Sequence, residues 1–234
     1  MGVSSHLEDT DAGRPDPAPR SIRASTDTEG RSSTERLVLF TDAVTAISIT
    51  LLVLPLVDLV PEAASAHKGA SEVITGHFDQ IWSFLLSFVV VASIWLEHHR
   101  AFSSVEKLTR SLTVWNMGWL LTIVVVPVPT EMIGAFGARD RFVATFYYSV
   151  LLASMVCRTA MLRILKTNPG LLAGDGREVR RRTQVLYTEG RLNVIAMVLA
   201  LAIALAVPVL QYYSLLLLAI LPRLPRLRGR RSTD

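Results

Sequence analysis

After residue 35, long apolar segments alternate with short charged segments along the chain. A helix that crosses a bilayer needs about 20 consecutive, mostly apolar residues. Six segments approach or exceed this length, so the pattern predicts an all-α, polytopic membrane protein with six transmembrane helices. The predicted spans are residues 37–59, 78–96, 112–128, 142–165, 192–207 and 209–221. The last two are the shortest, and Pro208 between them predicts a tight hairpin.

The two ends of the chain differ in composition from its apolar middle. Residues 1–35 are rich in Pro, Gly, Ser, Thr and charged residues without an apolar period, which is typical of a disordered tail. They also lack the apolar stretch of a secretory signal. We therefore expect a disordered cytoplasmic tail over 1–35, a six-helix transmembrane domain over 36–222 and a basic cytoplasmic tail over 223–234.

The distribution of the basic residues predicts the orientation of the spans. If the N-terminus is inside, the outer loops carry only three basic residues, namely Lys68, Arg139 and Arg141. Short loops rich in Lys and Arg stay in the cytoplasm, so both termini are expected there. The arginine clusters fit this role, with contact to anionic lipids. Nucleic-acid binding is disfavoured, because nothing near residues 180–182 would read bases.

Composition excludes several classes of protein. Charged residues make up 19% of the chain, against about 25% in soluble domains, so an ordinary soluble enzyme is disfavoured. The single cysteine, Cys157, excludes an intramolecular disulfide framework. No nucleophile elbow, zinc-protease motif, phosphate-binding loop or dinucleotide fingerprint occurs. We therefore expect no enzymatic activity and no cofactor.

The first span carries an acidic residue and a row of branched apolar residues on different faces. At about 100° per residue, Ile47, Leu51 and Leu54 form one stripe with Thr50 on its flank. Asp42 points roughly 150° away from that stripe. A carboxylate inside a membrane helix must face protein or water. Periodicity alone leaves open whether the stripe meets lipid, another helix or a pore.

Polar residues on the first three spans should lie at one depth near the cytoplasm. Span one rises from the inside, span two returns and span three rises again, which brings Asp42, the pair His98 and His99, and Asn116 into one layer. Such buried groups need partners, so a structural network is the simplest interpretation. A proton relay through Asp42 and His98 is the alternative. Metal binding is disfavoured, because adjacent histidines on a helix point about 100° apart.

The residues of the first three spans resemble those of a known channel family. The run Arg36-x-x-x-Phe40-Thr41-Asp42, with the apolar residues that follow, is similar to the first-helix signature of the endolysosomal potassium channels (the transmembrane protein 175 family) and their bacterial relatives. Further resemblance lies in the run Trp95-x-x-His98-His99-x-x-Phe102, the pair Trp115-Asn116 and the exit Pro127-x-Pro129-Thr130. The resemblance covers about residues 35–131. This chain departs from the signature at Thr41, where Ser is usual, and at Thr45, where a bulky apolar residue is common.

The resemblance implies a homotetrameric, potassium-preferring cation channel in a bacterial plasma membrane, with the first helices around a central pore. It implies a hydrophobic constriction at Ile47, Leu51 and Leu54, a pore-side hydroxyl at Thr50, and no carbonyl-lined filter. The partners implied are other copies of the chain, the lipid bilayer and permeant K⁺. The resemblance also implies a network that braces the helices, made of Arg36, Phe40, Thr41, Asp42, His98, His99, Trp115 and Asn116.

Two other functions remain as alternatives at this point. One is a proton-coupled secondary transporter that uses Asp42 and His98, although transporters often contain internal repeats and no convincing repeat is present here. The other is a scaffold or membrane enzyme whose site is the polar layer.

Overall fold

In a computed structural model of the protein, the described part of the chain is almost entirely helical. The structure describes residues 20–67, 69–137, 140–173 and 176–206. Eight α-helices occur in these ranges: α1 (Arg20–Leu51), α2 (Leu54–Ser65), α3 (Ala70–Gly76), α4 (Phe78–Phe102), α5 (Arg110–Val125), α6 (Pro127–Phe136), α7 (Arg141–Thr167) and α8 (Gly176–Ala206). A 3₁₀ turn, Pro169–Leu171, lies between α7 and α8.

Five stretches of the described chain are long and apolar enough to cross a membrane. They are Ser32–Ser65, Phe78–Phe102, Arg110–Phe136, Arg141–Thr167 and Gly176–Ala202. Each contains or overlaps one of the first five predicted spans. The predicted sixth span, residues 209–221, and the tail 223–234 lie outside the described residues, as does the hairpin at Pro208.

The first helix begins earlier than the sequence predicts. Helix α1 starts at Arg20, whereas a disordered tail is expected up to residue 35. No proline lies between Pro19 and Pro55, and a helix that is already nucleated extends by one hydrogen bond for each residue it adds. The membrane-embedded part of α1 therefore extends as a helix into the polar segment, and polar composition alone does not prevent this. Residues 1–19 lie outside the described residues.

Prolines divide two of the membrane-spanning stretches into paired helices. The first breaks between α1 and α2 just before Pro55, and the third breaks between α5 and α6 just before Pro127. Proline lacks the N–H that would continue the helical ladder, and its ring clashes with the preceding turn. In both cases the chain continues into the second helix within two residues.

The core lies between α4, α5 and α7. Its largest fully buried side chains include Trp119 on α5 and Tyr147, Tyr148 and Leu151 on α7. Helix α1 packs against α4 and α5, and α8 packs along α7. The helix that carries the candidate pore residues is thus held from one side only, by α4, α5 and, to a lesser extent, α6.

Two loops on the same side of the bundle are joined by backbone hydrogen bonds. The loop after α4 meets the loop after α7 where Val105 and Leu172 form an isolated β-bridge, and the amide of Ala173 donates to the carbonyl of Ser104 at 2.8 Å. The hydroxyl of Thr34 on α1 donates to the carbonyl of Glu106 at 2.9 Å. These bonds tie the polar end of α1 to both loops.

Candidate functional site

Helix α1 buries a face of small polar residues and exposes a face of large apolar ones. Thr41, Thr45, Ser48 and Leu52 follow one another at helical spacing and are all buried against the neighbouring helices. The hydroxyls donate back to carbonyls one turn earlier, for example from Thr45 to Thr41 at 2.8 Å. Small hydroxyl side chains satisfied in this way allow close helix packing in a membrane.

The predicted stripe lies on the opposite, exposed face. Ile47, Leu51 and Leu54 are 59%, 44% and 52% exposed, respectively, while Leu52 is 3% exposed. Leu54 lies beyond the break, at the start of α2, so the stripe continues across it. Thr50 is exposed beside the stripe, and its hydroxyl donates to the carbonyl of Ile47 at 2.7 Å. Within one subunit, no helix in the described chain covers this row.

A chain of buried hydrogen bonds joins α1, α5 and α4. The side-chain amide of Asn116 donates to the hydroxyl oxygen of Thr41 at 2.9 Å, and that hydroxyl donates to the carbonyl of Leu37 at 2.8 Å. The carbonyl oxygen of Asn116 lies 2.8 Å from Nε2 of His98. Because the Asn116 carbonyl can only accept, Nε2 of His98 carries the proton in this arrangement.

Asp42 makes a second connection from α1 to α4. The indole Nε1 of Trp95 donates to one carboxylate oxygen of Asp42 at 2.8 Å. The other oxygen lies 3.5 Å from Nδ1 of His99, and the rings of Trp95 and His99 lie 5.6 Å apart. Trp95 is not among the network residues predicted from the sequence. The sequence could have indicated that Trp95 contacts Asp42, because Trp95 lies one turn before His99 on the same helix face.

The ring of His98 is held between two aromatic rings. It stacks on Phe102 with centroids 4.5 Å apart and on Trp119 with centroids 3.9 Å apart. Trp119 was also not identified from the sequence, because it lies one turn beyond Asn116 in an apolar run with no distinguishing pattern. The stacking and the bond to Asn116 together fix the orientation of the imidazole.

Three residues of the predicted network lie outside it in the single subunit. Arg36, Phe40 and Trp115 are exposed, and among the described residues none of them hydrogen-bonds or ion-pairs with Thr41, Asp42, His98, His99 or Asn116. The structure thus brings together five of the eight predicted network residues, and the other three lie on the surface of the subunit.

An ion pair that the sequence pattern did not predict lies next to this network. Arg158 of α7 donates to the carboxylate of Glu97 on α4 at 2.9 Å, and the two side chains are 5% and 21% exposed. Glu97 directly precedes His98 in the chain. The sequence could have indicated this pair, because the opposite charges lie near the end of the second predicted span and within the fourth. In the part of the chain that the structure describes, no group of three or more His, Cys, Asp or Glu residues could hold a metal ion.

Comparison with known proteins identifies relatives of the chain. Residues 36–127 match the family described as endosomal/lysosomal potassium channel TMEM175. A potassium channel of Streptomyces collinus is 32% identical over 122 residues, which is 51% of this chain and 58% of that protein. A potassium channel of Chamaesiphon minutus is 31% identical over 150 residues, or 61% of this chain and 71% of that protein. The match thus spans less than two thirds of the Streptomyces protein.

A solved structure has the same fold. The crystal structure of a lysosomal potassium-selective channel TMEM175 homologue from Chamaesiphon minutus superposes with a TM-score of 0.67 at 24% identity, covering 81% of this chain and 95% of that chain. Taken with the sequence match to the Chamaesiphon potassium channel, these findings place the chain in the TMEM175 family.

Proposed function

We propose that the chain is one subunit of a homotetrameric, potassium-preferring cation channel in which four copies of α1 surround the pore. One observation carries the proposal: Ile47, Leu51 and Leu54 form an exposed apolar row on a helix whose other face is packed by hydroxyls. Rotation of α1 is opposed by the bonds of Thr41 and Asp42 to neighbouring helices. The row therefore has one fixed direction, as a pore-lining surface requires.

The proposed constriction works by excluding water. Four Ile47 side chains around one axis would present hydrocarbon and no oxygen to replace the hydration shell of a cation. Such a ring blocks flow when it dewets, because water and ions both lose partners there. Leu51 and Leu54 repeat the ring further outward. Thr50 supplies the neighbouring hydroxyl, and K⁺ releases its hydration water more readily than Na⁺ does, which gives the preference for K⁺.

The polar network has a bracing role in this proposal. Asp42 and Thr41 anchor α1 to α4 and α5, so the width of the constriction depends on the positions of those helices. Arg36, Phe40 and Trp115 lie exposed on the subunit, where a neighbouring copy can contact them. The channel needs no cofactor and no nucleic acid. It lies in a bacterial plasma membrane, with both termini in the cytoplasm.

Relatives support this function over the transporter alternative. The Streptomyces and Chamaesiphon proteins are both named potassium channels. A relative from Rattus norvegicus, 28% identical over 112 residues, is named an endosomal/lysosomal proton channel. Both names describe passive flow of cations, and the bacterial proteins are the more similar to this chain.

A flux assay in liposomes tests the proposal. Vesicles that contain the purified protein and a K⁺ gradient should lose K⁺ passively, with a membrane potential that follows the K⁺ gradient and with less flux when Na⁺ replaces K⁺. The mass of the assembly in native mass spectrometry should be four times that of the chain. Strict coupling of K⁺ movement to protons would instead support the transporter that uses Asp42 and His98.

A further inference from the structure

One aromatic ring between the end of α7 and the polar half of α8 contacts two cations. The ammonium nitrogen of Lys166 on α7 lies 4.7 Å from the centre of the Tyr187 ring on α8. The guanidinium carbon of Arg191, one turn further along α8, lies 5.9 Å from the same centre. Cations are attracted to the face of an aromatic ring, so this ring holds together two like charges that would otherwise repel each other.

The two cations have no acidic partner within the described ranges. Both Lys166 and Arg191 are exposed, and neither forms an ion pair with a described residue. The nearest carboxylate in the chain, Glu189, is two residues from Tyr187 and from Arg191, so it projects from the opposite side of α8. Two exposed cations without a carboxylate form a surface that is complementary to an anion.

The cluster lies where α8 enters its apolar part. Residues 192–206, which follow Arg191, contain no charged residue. Lys166 is in the last turn of α7, beyond the apolar and charge-free residues 142–157. Tyr is enriched where a membrane helix meets water, which suits the position of Tyr187. In the orientation proposed above, this boundary is the cytoplasmic surface of the bilayer.

An exposed apolar surface continues from the cluster toward the membrane interior. Ile195 lies four residues after Arg191, and Val198 follows three residues later, so both share a helix face with Arg191 and Tyr187. Ile195 and Val198 are 51% and 47% exposed. A cationic cluster followed by exposed hydrocarbon on one helix face matches the two parts of a phospholipid, an anionic headgroup and an acyl chain.

Helix α8 lies where lipid can reach it. It packs mainly along α7, whereas α1 packs against α4, α5 and α6, and only 11% of its most apolar stretch is buried inside the subunit. With α1 around the pore, α8 is therefore at the periphery. Residues 207–234 contain five arginines and one acidic residue, Asp234, so this segment offers little negative charge to the cluster.

We propose that Lys166, Tyr187 and Arg191 form a headgroup site for an anionic phospholipid of the cytoplasmic leaflet, whose acyl chain lies along Ile195 and Val198. The two cations donate charge-assisted hydrogen bonds to the phosphate oxygens. Basic pockets between membrane helices bind anionic headgroups in this way. The site goes beyond the proposed channel, because lipid binding at α7 and α8 does not require that α1 conduct ions.

Lipid binding by the purified full chain separates this site from general attraction to a basic surface. Native mass spectrometry in detergent counts bound phosphatidylglycerol, which is anionic, and bound phosphatidylcholine, which is zwitterionic. The double variant Lys166→Gln with Arg191→Gln removes both charges of the site. The matched control is Arg177→Gln with Arg182→Gln, because these two arginines are exposed on the polar part of α8 and the net charge of the two double variants is equal.

The expected result is a selective loss of phosphatidylglycerol. The parent should prefer phosphatidylglycerol to phosphatidylcholine, and its affinity for the anionic lipid should fall by about 30-fold in the variant at Lys166 and Arg191, the scale of two basic residues at a membrane surface. The control variant should bind like the parent. Equal losses in the two double variants overturn the site, and so does a parent that shows no preference between the two lipids.

Two substitutions of Tyr187 test whether the ring organises the cations. Tyr187→Leu leaves both charges and removes the ring, so the affinity for phosphatidylglycerol should fall by about threefold. Tyr187→Phe keeps the ring and should lose less. Parent-like affinity in Tyr187→Leu contradicts a site organised by the ring. Any of these failures would leave the K⁺ flux of the vesicle assay unchanged, so they are distinguishable from a failure of the proposed channel function.

Discussion

The indole Nε1 of Trp95 donates a hydrogen bond to Oδ1 of Asp42 over 2.8 Å, and this bond ties the first helix to α4. The other carboxylate oxygen of Asp42, Oδ2, lies 3.5 Å from Nδ1 of His99, which is also on α4. Without such partners, a carboxylate inside a membrane helix destabilises the protein. The position of the proposed pore-lining helix is therefore tied to a tryptophan that lies one helix away.

Removal of the indole N–H should destabilise the protein. Trp95→Phe keeps most of the ring and leaves one oxygen of Asp42 without its donor. A hydrogen bond to a charged group contributes about 1.5 to 3 kcal/mol, so the free energy of unfolding in detergent should fall by that amount. Trp82→Phe is the matched control, because Trp82 is on the same helix and is exposed. Equal losses in both variants would contradict the role of the bond.

The bond between Asn116 and Thr41 should depend on the hydroxyl and not on the methyl group. Thr41→Val leaves the Asn116 amide without its acceptor in a buried site, which costs about 1 to 3 kcal/mol. Thr41→Ser keeps the oxygen and should lose much less. Chemical unfolding of the three proteins measures the difference. A Thr41→Ser protein as unstable as Thr41→Val would show that methyl packing, and not the hydrogen bond, matters.

Depth along the spans predicted much of this network. The up-down-up order of the first three spans placed Asp42, the two histidines and Asn116 in one layer. In the structure Asn116 bonds Thr41 of α1 and His98, and His99 lies 3.5 Å from Asp42. The stripe of Ile47, Leu51 and Leu54 was also available from periodicity alone. These inferences need only the helical repeat and the direction of each span, both of which are local properties.

Other features depended on information that no single segment carries. Trp95 was not predicted as the partner of Asp42, because a tryptophan near a helix end is also typical of a membrane interface. Composition did not predict the helix over residues 20–35, because that helix continues from the neighbouring apolar segment and does not depend on its own residues forming an apolar pattern. The burial of Arg158 depends on where α7 meets α4, and sequence spacing does not fix that contact.

The ion pair of Glu97 and Arg158 should be coupled energetically. Arg158→Met leaves the partly buried carboxylate of Glu97 without its partner. Breaking a fully buried pair costs about 3 to 5 kcal/mol, so we expect a loss at or below the lower end of that range. The double variant Glu97→Gln with Arg158→Met removes both charges and should recover most of that loss. A double-mutant cycle on unfolding free energy gives the coupling. Simple additivity of the two single variants would show that the pair contributes no interaction energy.

Topology can be tested with two exposed serines. Ser65 ends α2 and Ser103 follows α4, so with the N-terminus inside they lie on opposite sides of the membrane. In a Cys157→Ser background, Ser65→Cys should react with a membrane-impermeant thiol reagent added to intact cells. Ser103→Cys should react only after the cells are opened. The reverse labelling pattern would invert the orientation and move the basic loops outside.

The proposed gate should open when its hydrocarbon ring is made polar. Ile47 is the most exposed residue of the row at 59%, and on the proposed axis four of its side chains leave no oxygen in the pore. Ile47→Asn places an amide there, which accepts and donates hydrogen bonds and keeps the ring wet. We expect a higher basal cation flux and a lower ratio of K⁺ to Na⁺ permeability, measured in the same vesicles as the parent. Leu121→Asn is the control, since Leu121 is an equally exposed apolar residue on α5, outside the proposed pore. If Ile47→Asn assembles normally and its flux matches that of the Leu121→Asn protein, Ile47 does not form the constriction and the row faces lipid.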